Sequence, residues 1–296
     1  MGDGKYAPSV AYLGPEASFT HVAASALFGT PGLIPQPTIP DCIEAVEEGR
    51  VAYALVPIEN ALEGSVPMTI DYLFHGSDLF INAETSIPIE QHLMVNKKQA
   101  HFIDEIESIN SHPHALGQCH KYLQYNFRRV PLIQTTSTAA AAKYISENPN
   151  EKIAAIGNKL AAEKYGLHIV EENIHDFHFN HTRFVVLSLR KESLEIEGHS
   201  KNLKTTLMVK LPEDDRSGGL HQVLSVFAWR RINLSKIESR PLKTGLGNYF
   251  FIIDVMESEA HPMLQGAIEE LTALNCSVHS FGSYFTYNEL PSRHSI

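Results

Sequence analysis

Short apolar runs alternate with segments of helical periodicity through the first 190 residues, and this alternation restricts the possible folds more than any other feature of the chain. The runs are SVAYLG (9–14), ALVPI (54–58), LFINAE (79–84), HLMVN (92–96), VPLIQT (130–135), IAAIG (153–157) and RFVVLSL (183–189). Helix boundary signals lie between them: a capping-box spacing at Asp41 and Glu44, a first-turn proline at Pro113, an N-cap at Ser137 and a stop at Gly166. Strand followed by helix, repeated, predicts an open α/β architecture with a mostly parallel sheet.

A second unit follows the polar, weakly patterned segment 191–203, which we interpret as a linker. The length of 296 residues supports two domains at roughly 150 residues per domain. The second unit has the pattern strand (204–211), helix (218–231), strand (232–239), strand (248–255), helix (262–275) and strand (278–285). This βαββαβ order is the ferredoxin-like motif. We therefore predict a first domain over 8–190 and a second over 204–286.

Composition excludes several classes of protein. A net charge of −10 with no basic stripe argues against nucleic acid as a partner. No apolar run approaches the roughly 18 residues of a membrane span, and the first residues lack a signal-peptide core. The cysteines Cys42, Cys119 and Cys276 are widely spaced and form no CxxC motif, which is typical of a reducing compartment. We expect a soluble, cytoplasmic protein with no membrane contact.

Five strand-to-helix junctions carry hydroxyl, amide or glycine residues where a ligand could bind. They are GPEASFT (14–20), IENALEGS (58–65), ETS (84–86), SHPHALG (111–117) and TTST (135–138). Ligands of open α/β sheets bind beyond the carboxyl ends of the strands, where helix N-termini favour anions. Because none of the junctions has the Walker glycine-lysine pattern, they indicate a small organic acid rather than a nucleotide.

The segment NHTRF (180–184) brings a hydroxyl, a guanidinium and an aromatic ring to the start of a strand. Strand alternation places Thr182 and Phe184 on one face and Arg183 on the other. From the residues alone, a purely structural role is as acceptable as a role in ligand binding: Arg183 could be solvated, and Thr182 could only satisfy a turn.

Sixteen histidines raise the question of a metal site. The densest groups are His112 with His114, and His175 with His178 and His181. Neither group has the HExxH pattern or a cysteine partner, so we predict no metal and no cofactor.

Taken in order, these segments resemble the prephenate dehydratase family over nearly the whole chain. The similar segments are LGPEASFTHVAA (13–24), VPIENALEGSV (56–66), SHPHALGQC (111–119), AAIGNKLAAEKYGL (154–167) and NHTRF (180–184). In the second unit, GGLHQVLSVF (218–227) and KIESRP (236–241) resemble the two segments with which ACT domains of this family hold phenylalanine. The chain departs from the family at Ala17, Ala61 and His114, where Gly, Ser and Gln are usual.

The resemblance implies a two-lobed, type 2 periplasmic-binding-protein-like catalytic domain, with chain crossings near 84–92 and 170–182, and a ferredoxin-like ACT domain. The implied reaction is the decarboxylating dehydration of prephenate to phenylpyruvate in L-phenylalanine biosynthesis, without a cofactor. L-phenylalanine is the implied allosteric inhibitor, and the implied assembly is a homodimer or homotetramer. Two alternatives stay open, an arogenate dehydratase and a non-catalytic organic-acid sensor.

The resemblance also implies roles for individual residues. Thr182 is expected to donate the proton. The expected substrate-binding residues are Asn60, Thr85, Ser86, Ser111, Phe177, Arg183 and Phe184. The expected phenylalanine-binding residues are Gly218, Gly219, Leu220, Glu238, Ser239, Arg240 and Pro241.

Overall fold

The first domain consists of two lobes, each a β-sheet with flanking helices, in a computed structural model that describes residues 8–196, 201–212, 217–242 and 249–288. The first lobe contains β1 (Val10–Leu13), α1 (Phe19–Phe28), β2 (Leu33–Gln36), α2 (Ile39–Glu47), β3 (Tyr53–Asn60), β4 (Gly64–Ser65), α3 (Pro67–His75) and β5 (Phe80–Pro88). The second lobe contains β6 (His92–Asn96), two 3₁₀ turns (Lys97–Gln99 and Ile103–Glu105), β7 (Ser108–Ser111), α4 (Pro113–Gln118), α5 (His120–Asn126), β8 (Leu132–Gln134), α6 (Thr138–Glu147), β9 (Ile153–Gly157), α7 (Lys159–Lys164) and β10 (Leu167–Glu171). β11 (His181–Ser188) returns to the first lobe.

The chain crosses between the lobes at residues 89–91 and again at 172–180. Each crossing delivers a strand that runs against its neighbours, because β6 is antiparallel to β9 and β11 is antiparallel to β3 and β5. The pairs β1–β2, β1–β3, β7–β8 and β7–β9 are parallel. The prediction of a mostly parallel sheet was therefore wrong, and both sheets are mixed.

Helix caps determine where the helices start. Ser137 caps α6 by accepting the amide of Ala140, and Pro113 is the first residue of α4, as predicted. The capping box of α2 is formed by Thr38 and Asp41 and not by Asp41 and Glu44. The helix therefore begins at Ile39, three residues earlier than the predicted box implies.

The second domain contains β12 (Lys201–Lys210), α8 (Gly219–Trp229), β13 (Leu234–Pro241), β14 (Tyr249–Val255), α9 (Pro262–Ala273) and β15 (Ser277–Asn288). Its strands lie in the order β13-β14-β12-β15 and all pair antiparallel, which confirms the ferredoxin-like prediction. Leu207, Phe227 and Leu264 belong to the core between this sheet and its two helices.

One sheet runs through both domains. β15 pairs in parallel with β5, so the second domain's strands continue the first lobe's sheet to ten strands. Tyr287 on β15 is fully buried and packs in the same hydrophobic cluster as Phe184 and Val186 of β11. Among the helices of the described ranges, none is long and apolar enough to cross a bilayer.

Candidate active site

A cavity of about 1000 Å³ lies between the two lobes of the first domain. The first lobe lines it with residues that include Asn60, Thr182 and Phe184, and the second lobe with residues that include His112 and Thr138. Ile89 and Gln91 of the first crossing also line the cavity. A cleft bounded by two lobes and by a crossing between them can change its width when the lobes move relative to each other.

Asn60 and Thr182 form the central polar pair of this cavity. They are directly opposite each other in the β3–β11 ladder, and the Asn60 amide Nδ2 donates to Thr182 Oγ1 over 2.8 Å. The Asn60 carbonyl Oδ1 accepts the backbone amides of Leu62 (3.0 Å) and Glu63 (3.2 Å), which fixes the amide orientation. Because the Thr182 oxygen accepts this bond, its own proton is free to be donated into the cavity.

Two helices begin at the cavity wall and carry no acidic residue in their first turns. Ser18 caps α1 and Ser137 caps α6, and both serines line the cavity. The amide groups of a helix N-terminus and its dipole favour a bound anion. This end of the cleft is therefore suited to a carboxylate.

The charged side chains around the cavity are arranged so that the acids are paired. Glu16 forms an ion pair with Lys164, and Glu63 Oε1 lies 2.8 Å from His114 Nδ1 across the cleft. Lys143 also lines the cavity. The carboxylates thus repel an anionic ligand less than unpaired ones would.

The backbone conformation of Ala17 is one that favours glycine, the residue expected at this position from the family resemblance. Its φ is 64°, in the left-handed region that favours glycine. The residue is held there by two hydrogen bonds of 2.9 Å, from its own amide to His21 Nδ1 and from Asn158 Nδ2 of the second lobe to its carbonyl. A glycine at this position would avoid the strain.

The side chains of three predicted substrate-binding residues make contacts within the protein, away from the cavity. Thr85 is buried and donates to the Tyr287 carbonyl at 3.1 Å, while Ser111 is buried and donates to the Ile156 carbonyl at 2.7 Å. Phe177 is 42% exposed and contacts Phe179. None of the three, nor Ser86, lines the cavity, so these four assignments are corrected.

Arg183 was also assigned wrongly to substrate anchoring. It lies on the opposite face of β11 from Thr182, where its guanidinium binds Glu84 at 2.6 Å and Asp254 of the second domain at 2.8 Å. A further ion pair joins it to Glu59. Burial alone would lower the pKa of Arg183, but the charges of Glu84 and Asp254 raise it above its ordinary value. The expected split of Thr182 and Phe184 from Arg183 is confirmed, since only the first two line the cavity.

Two glutamines were missed in the sequence although they line the cavity. Gln91 lies on the first crossing and Gln118 at the end of α4, and the buried carboxamide oxygen of each has no hydrogen-bond partner within the described part of the chain. Such acceptors suit the hydroxyl group of a ligand. Gln118 ends a junction helix that the sequence marked as a ligand position, whereas no signal marked Gln91.

The predicted effector residues lie in two places in the second domain. Gly218, Gly219 and Leu220 form the start of α8, where Gly218 has a φ of 108°. Glu238, Ser239, Arg240 and Pro241 lie on β13, an edge strand. Glu238 and Arg240 face the first domain, where they contact Ser65 at 2.5 Å and Asp71 at 3.5 Å.

The histidine groups singled out in the sequence do not assemble with other ligands. Within the ranges that the structure describes, no three His, Cys, Asp or Glu side chains are grouped to hold a metal ion. The rings of His175 and His178 contact each other edge to face, and so do those of His112 and His114.

Comparison with known proteins agrees with this architecture. The family model described as prephenate dehydratase matches residues 10–192, and the ACT domain model matches residues 205–276. The prephenate dehydratase of Bacillus subtilis strain 168 is 50% identical over 282 residues, which cover 94% of this chain and 99% of that protein. The structure of prephenate dehydratase from Arthrobacter aurescens in complex with L-Phe superimposes with a TM-score of 0.82 at 32% identity, covering 97% of this chain and 92% of that one. A structure described as GqqA, a novel type of quorum quenching acylase, gives a TM-score of 0.80 at 26% identity, covering 93% and 97%.

A two-lobed, periplasmic-binding-protein-like cleft joined to an ACT domain, together with relatives named prephenate dehydratase over nearly the whole chain, identifies a carbon–oxygen lyase of the hydro-lyase class. Within that class, the chain belongs to the prephenate dehydratase family.

Proposed function

We propose that this chain converts prephenate to phenylpyruvate, carbon dioxide and water. The observation that carries the proposal is the Asn60–Thr182 hydrogen bond at the wall of a cleft that also receives the capped ends of two helices. Relatives named prephenate dehydratase, one of them 50% identical over nearly the whole chain, support it.

The cleft would first orient a dianion. The N-termini of α1 and α6, with Lys143 nearby, provide the positive potential for the two carboxylates, and Phe184 provides an apolar wall for the ring. Holding the ring carboxylate and the ring hydroxyl in the correct geometry is most of what the reaction requires, because aromatisation drives it.

Thr182 would then donate a proton to the departing hydroxyl. The bond between the ring and its carboxylate breaks, its electron pair enters the ring, and the ring C–O bond breaks as water forms. One proton added to the prephenate dianion balances phenylpyruvate, carbon dioxide and water. The Asn60 amide, at 2.8 Å from Thr182 Oγ1, stabilises the developing alkoxide until solvent returns the proton.

Phenylalanine inhibition is the second part of the proposal. The L-Phe complex of the Arthrobacter aurescens relative supports phenylalanine as the effector, with Gly218–Leu220 and Glu238–Pro241 as the binding segments. The exposed apolar side chains of Trp229, Ile237 and Tyr249 in the second domain support assembly into a homodimer or homotetramer. The three free, buried cysteines suit a reducing compartment, and the cytoplasm stays the proposed location.

An ultraviolet assay of phenylpyruvate formation tests the proposal. Purified protein is given prephenate and, in parallel, arogenate, each with and without phenylalanine. Turnover of prephenate with inhibition by phenylalanine is expected. Phenylalanine formed from arogenate alone would indicate an arogenate dehydratase, and binding without turnover of either compound would indicate a sensor.

A further inference from the structure

The hairpin that carries Asn60 is held by side chains of the second domain. Lys236 Nζ on β13 lies 3.2 Å from Glu59 and 2.8 Å from Ser65 Oγ. Ser65 Oγ in turn donates to Glu238 Oε2 at 2.5 Å. Glu59 and Ser65 are opposite each other in the β3–β4 hairpin, directly beside Asn60. The second domain therefore contacts the turn from which the catalytic pair is built.

Glu59 also connects this contact to the strand that carries Thr182. Its second carboxylate oxygen forms the ion pair with Arg183, the residue that follows Thr182. Arg183 also forms ion pairs with Glu84 and Asp254, and Lys204 Nζ forms an ion pair with Glu84 at 2.9 Å. Both members of the Asn60–Thr182 pair are thus flanked by residues of one charge network.

The side chains of this charge network are partly buried, so that water and salt screen their interactions only weakly. The Lys236 side chain is 13% exposed and that of Glu238 is 20% exposed. Burial alone would raise the pKa of Glu238, but its bonds to Ser65 and Lys236 lower it below the ordinary value. Partly buried, hydrogen-bonded ion pairs are screened little, and they strongly resist displacement of one partner.

We propose that Lys236 and Glu59 act as positioning residues, which hold the β3–β4 hairpin so that Asn60 meets Thr182. Lys236 lies two residues before the segment Glu238–Pro241 that is proposed to bind phenylalanine, so occupation of that segment would displace the hairpin and weaken the Asn60–Thr182 bond. This inference rests on the proposed function, but it names the connection through which the effector acts.

Three variants and a matched control test the inference. K236M and E59Q each remove one partner of the Lys236–Glu59 pair, and the double variant removes both partners. K191M is the control, because the Lys191–Glu259 pair (2.7 Å) also joins the two domains. Lys191 lies beyond Ser188, the last residue of β11, which is itself about 20 Å from Thr182 at roughly 3.3 Å per strand residue.

The first measurement is hydrogen exchange, which requires no turnover. The amides of Leu62 and Glu63 bind Asn60 Oδ1, so exchange of the peptide spanning 59–66 reports on the orientation of that side chain. We expect K236M to speed this exchange about fivefold or more and K191M to leave it unchanged. Equal exchange in K236M and the unaltered protein would overturn the inference, whatever the activity of the protein is.

The second measurement is kinetic. K236M and E59Q are expected to lower kcat about tenfold with KM within about twofold, because a displaced hairpin impairs the chemical step more than binding. The double variant should lower kcat by clearly less than the product of the two single effects, since both single variants lose the Lys236–Glu59 contact, and K236R should recover most of kcat.

In calorimetry E59Q should bind phenylalanine at least as tightly as the unaltered protein, because the contact that binding would have to break is already absent, while inhibition in the kinetic assay weakens about fivefold or more. Additive effects on kcat, or full inhibition in E59Q, would contradict the positioning role. Absence of prephenate turnover by the unaltered protein would instead contradict the proposed function.

Discussion

The Asn60 carboxamide donates to the Thr182 hydroxyl over 2.8 Å, between residues that are paired in adjacent antiparallel strands. The bond polarises a weak acid at the wall of the cleft, and it leaves the threonine proton available to a ligand. Since Asn60 is itself oriented by two backbone amides, the pair is formed before substrate arrives.

Replacing Thr182 tests its role as the proton donor. Thr182→Ala is expected to lower kcat by about 10²–10⁴-fold with KM nearly unchanged, because other groups hold the carboxylates. Thr182→Ser keeps the hydroxyl and should retain appreciable activity. Steady-state kinetics on prephenate gives both values, and a fully active alanine variant would remove Thr182 from the mechanism.

Asn60→Asp removes the donor that stabilises the threonine oxygen. We expect kcat to fall about 10²-fold, as for loss of one oxyanion donor, and KM to rise because the new charge repels a dianion. Asn180→Asp is the control: Asn180 Oδ1 accepts from Asn60 at 3.0 Å, so the aspartate keeps that bond while adding the same charge. If the two variants had equal kcat values, charge alone would explain the effect.

Asp254→Asn tests how much the interdomain charge network contributes to the free energy of unfolding. The substitution removes one of the two buried acids that neutralise Arg183 and Lys204 and leaves Glu84 shared between the two cations, which costs up to about 3–5 kcal/mol. Urea unfolding at neutral pH measures the loss. Glu48→Gln breaks an exposed ion pair with Arg50 and should change stability by no more than about 1 kcal/mol. Similar losses in the two variants would show that burial of the network contributes little.

Two histidines at the crossings predict a loss of stability in mild acid. Burial lowers the pKa of His92 and of His175 below the ordinary value of about 6.5, and each Nδ1 accepts a backbone amide that a protonated ring could not accept. Because the folded pKa is the lower one, their contribution is fully present above pH about 6.5. It is lost as pH falls through the folded pKa, by up to about 1.4 kcal/mol per pH unit for each ring.

Thermal unfolding between about pH 8 and pH 5 measures this effect. His175→Gln should flatten the acid side of the profile, whereas the same change at the exposed His120 should leave it unaltered. A profile that is as steep in the His175 variant as in the unaltered protein would exclude this histidine as a source of the acid sensitivity.

Truncation after Ser200 tests whether the first domain folds alone. The truncated chain lacks β15, so the β5 edge loses its partner and the cluster around Phe184 loses the buried Tyr287. An unpaired edge beside an opened core favours aggregation. We expect gel filtration to give aggregates and circular dichroism to show a lowered unfolding temperature. A stable monomer that converts prephenate would contradict this expectation.

What the sequence could predict depended on how local the signal was. Strand alternation correctly predicted that Thr182 and Phe184 share a face, because the direction of a side chain in a strand depends only on its position among its sequence neighbours. The role of Arg183 could not be predicted, because its partners Glu84 and Asp254 are 99 and 71 residues away. The roles of Thr85 and Ser111 could not be predicted for the same reason, since the hydroxyl group of each donates to a backbone carbonyl that is distant in the sequence.

Thr182 and Arg183 are consecutive residues on opposite sides of β11, one at the cleft and the other against the second domain. A shift of the β11 backbone would therefore move both the cleft wall and the contact with the second domain. If phenylalanine inhibits as proposed, variants that lose inhibition but keep full kcat are expected to carry substitutions outside β11, at the start of α8 or at the end of β13.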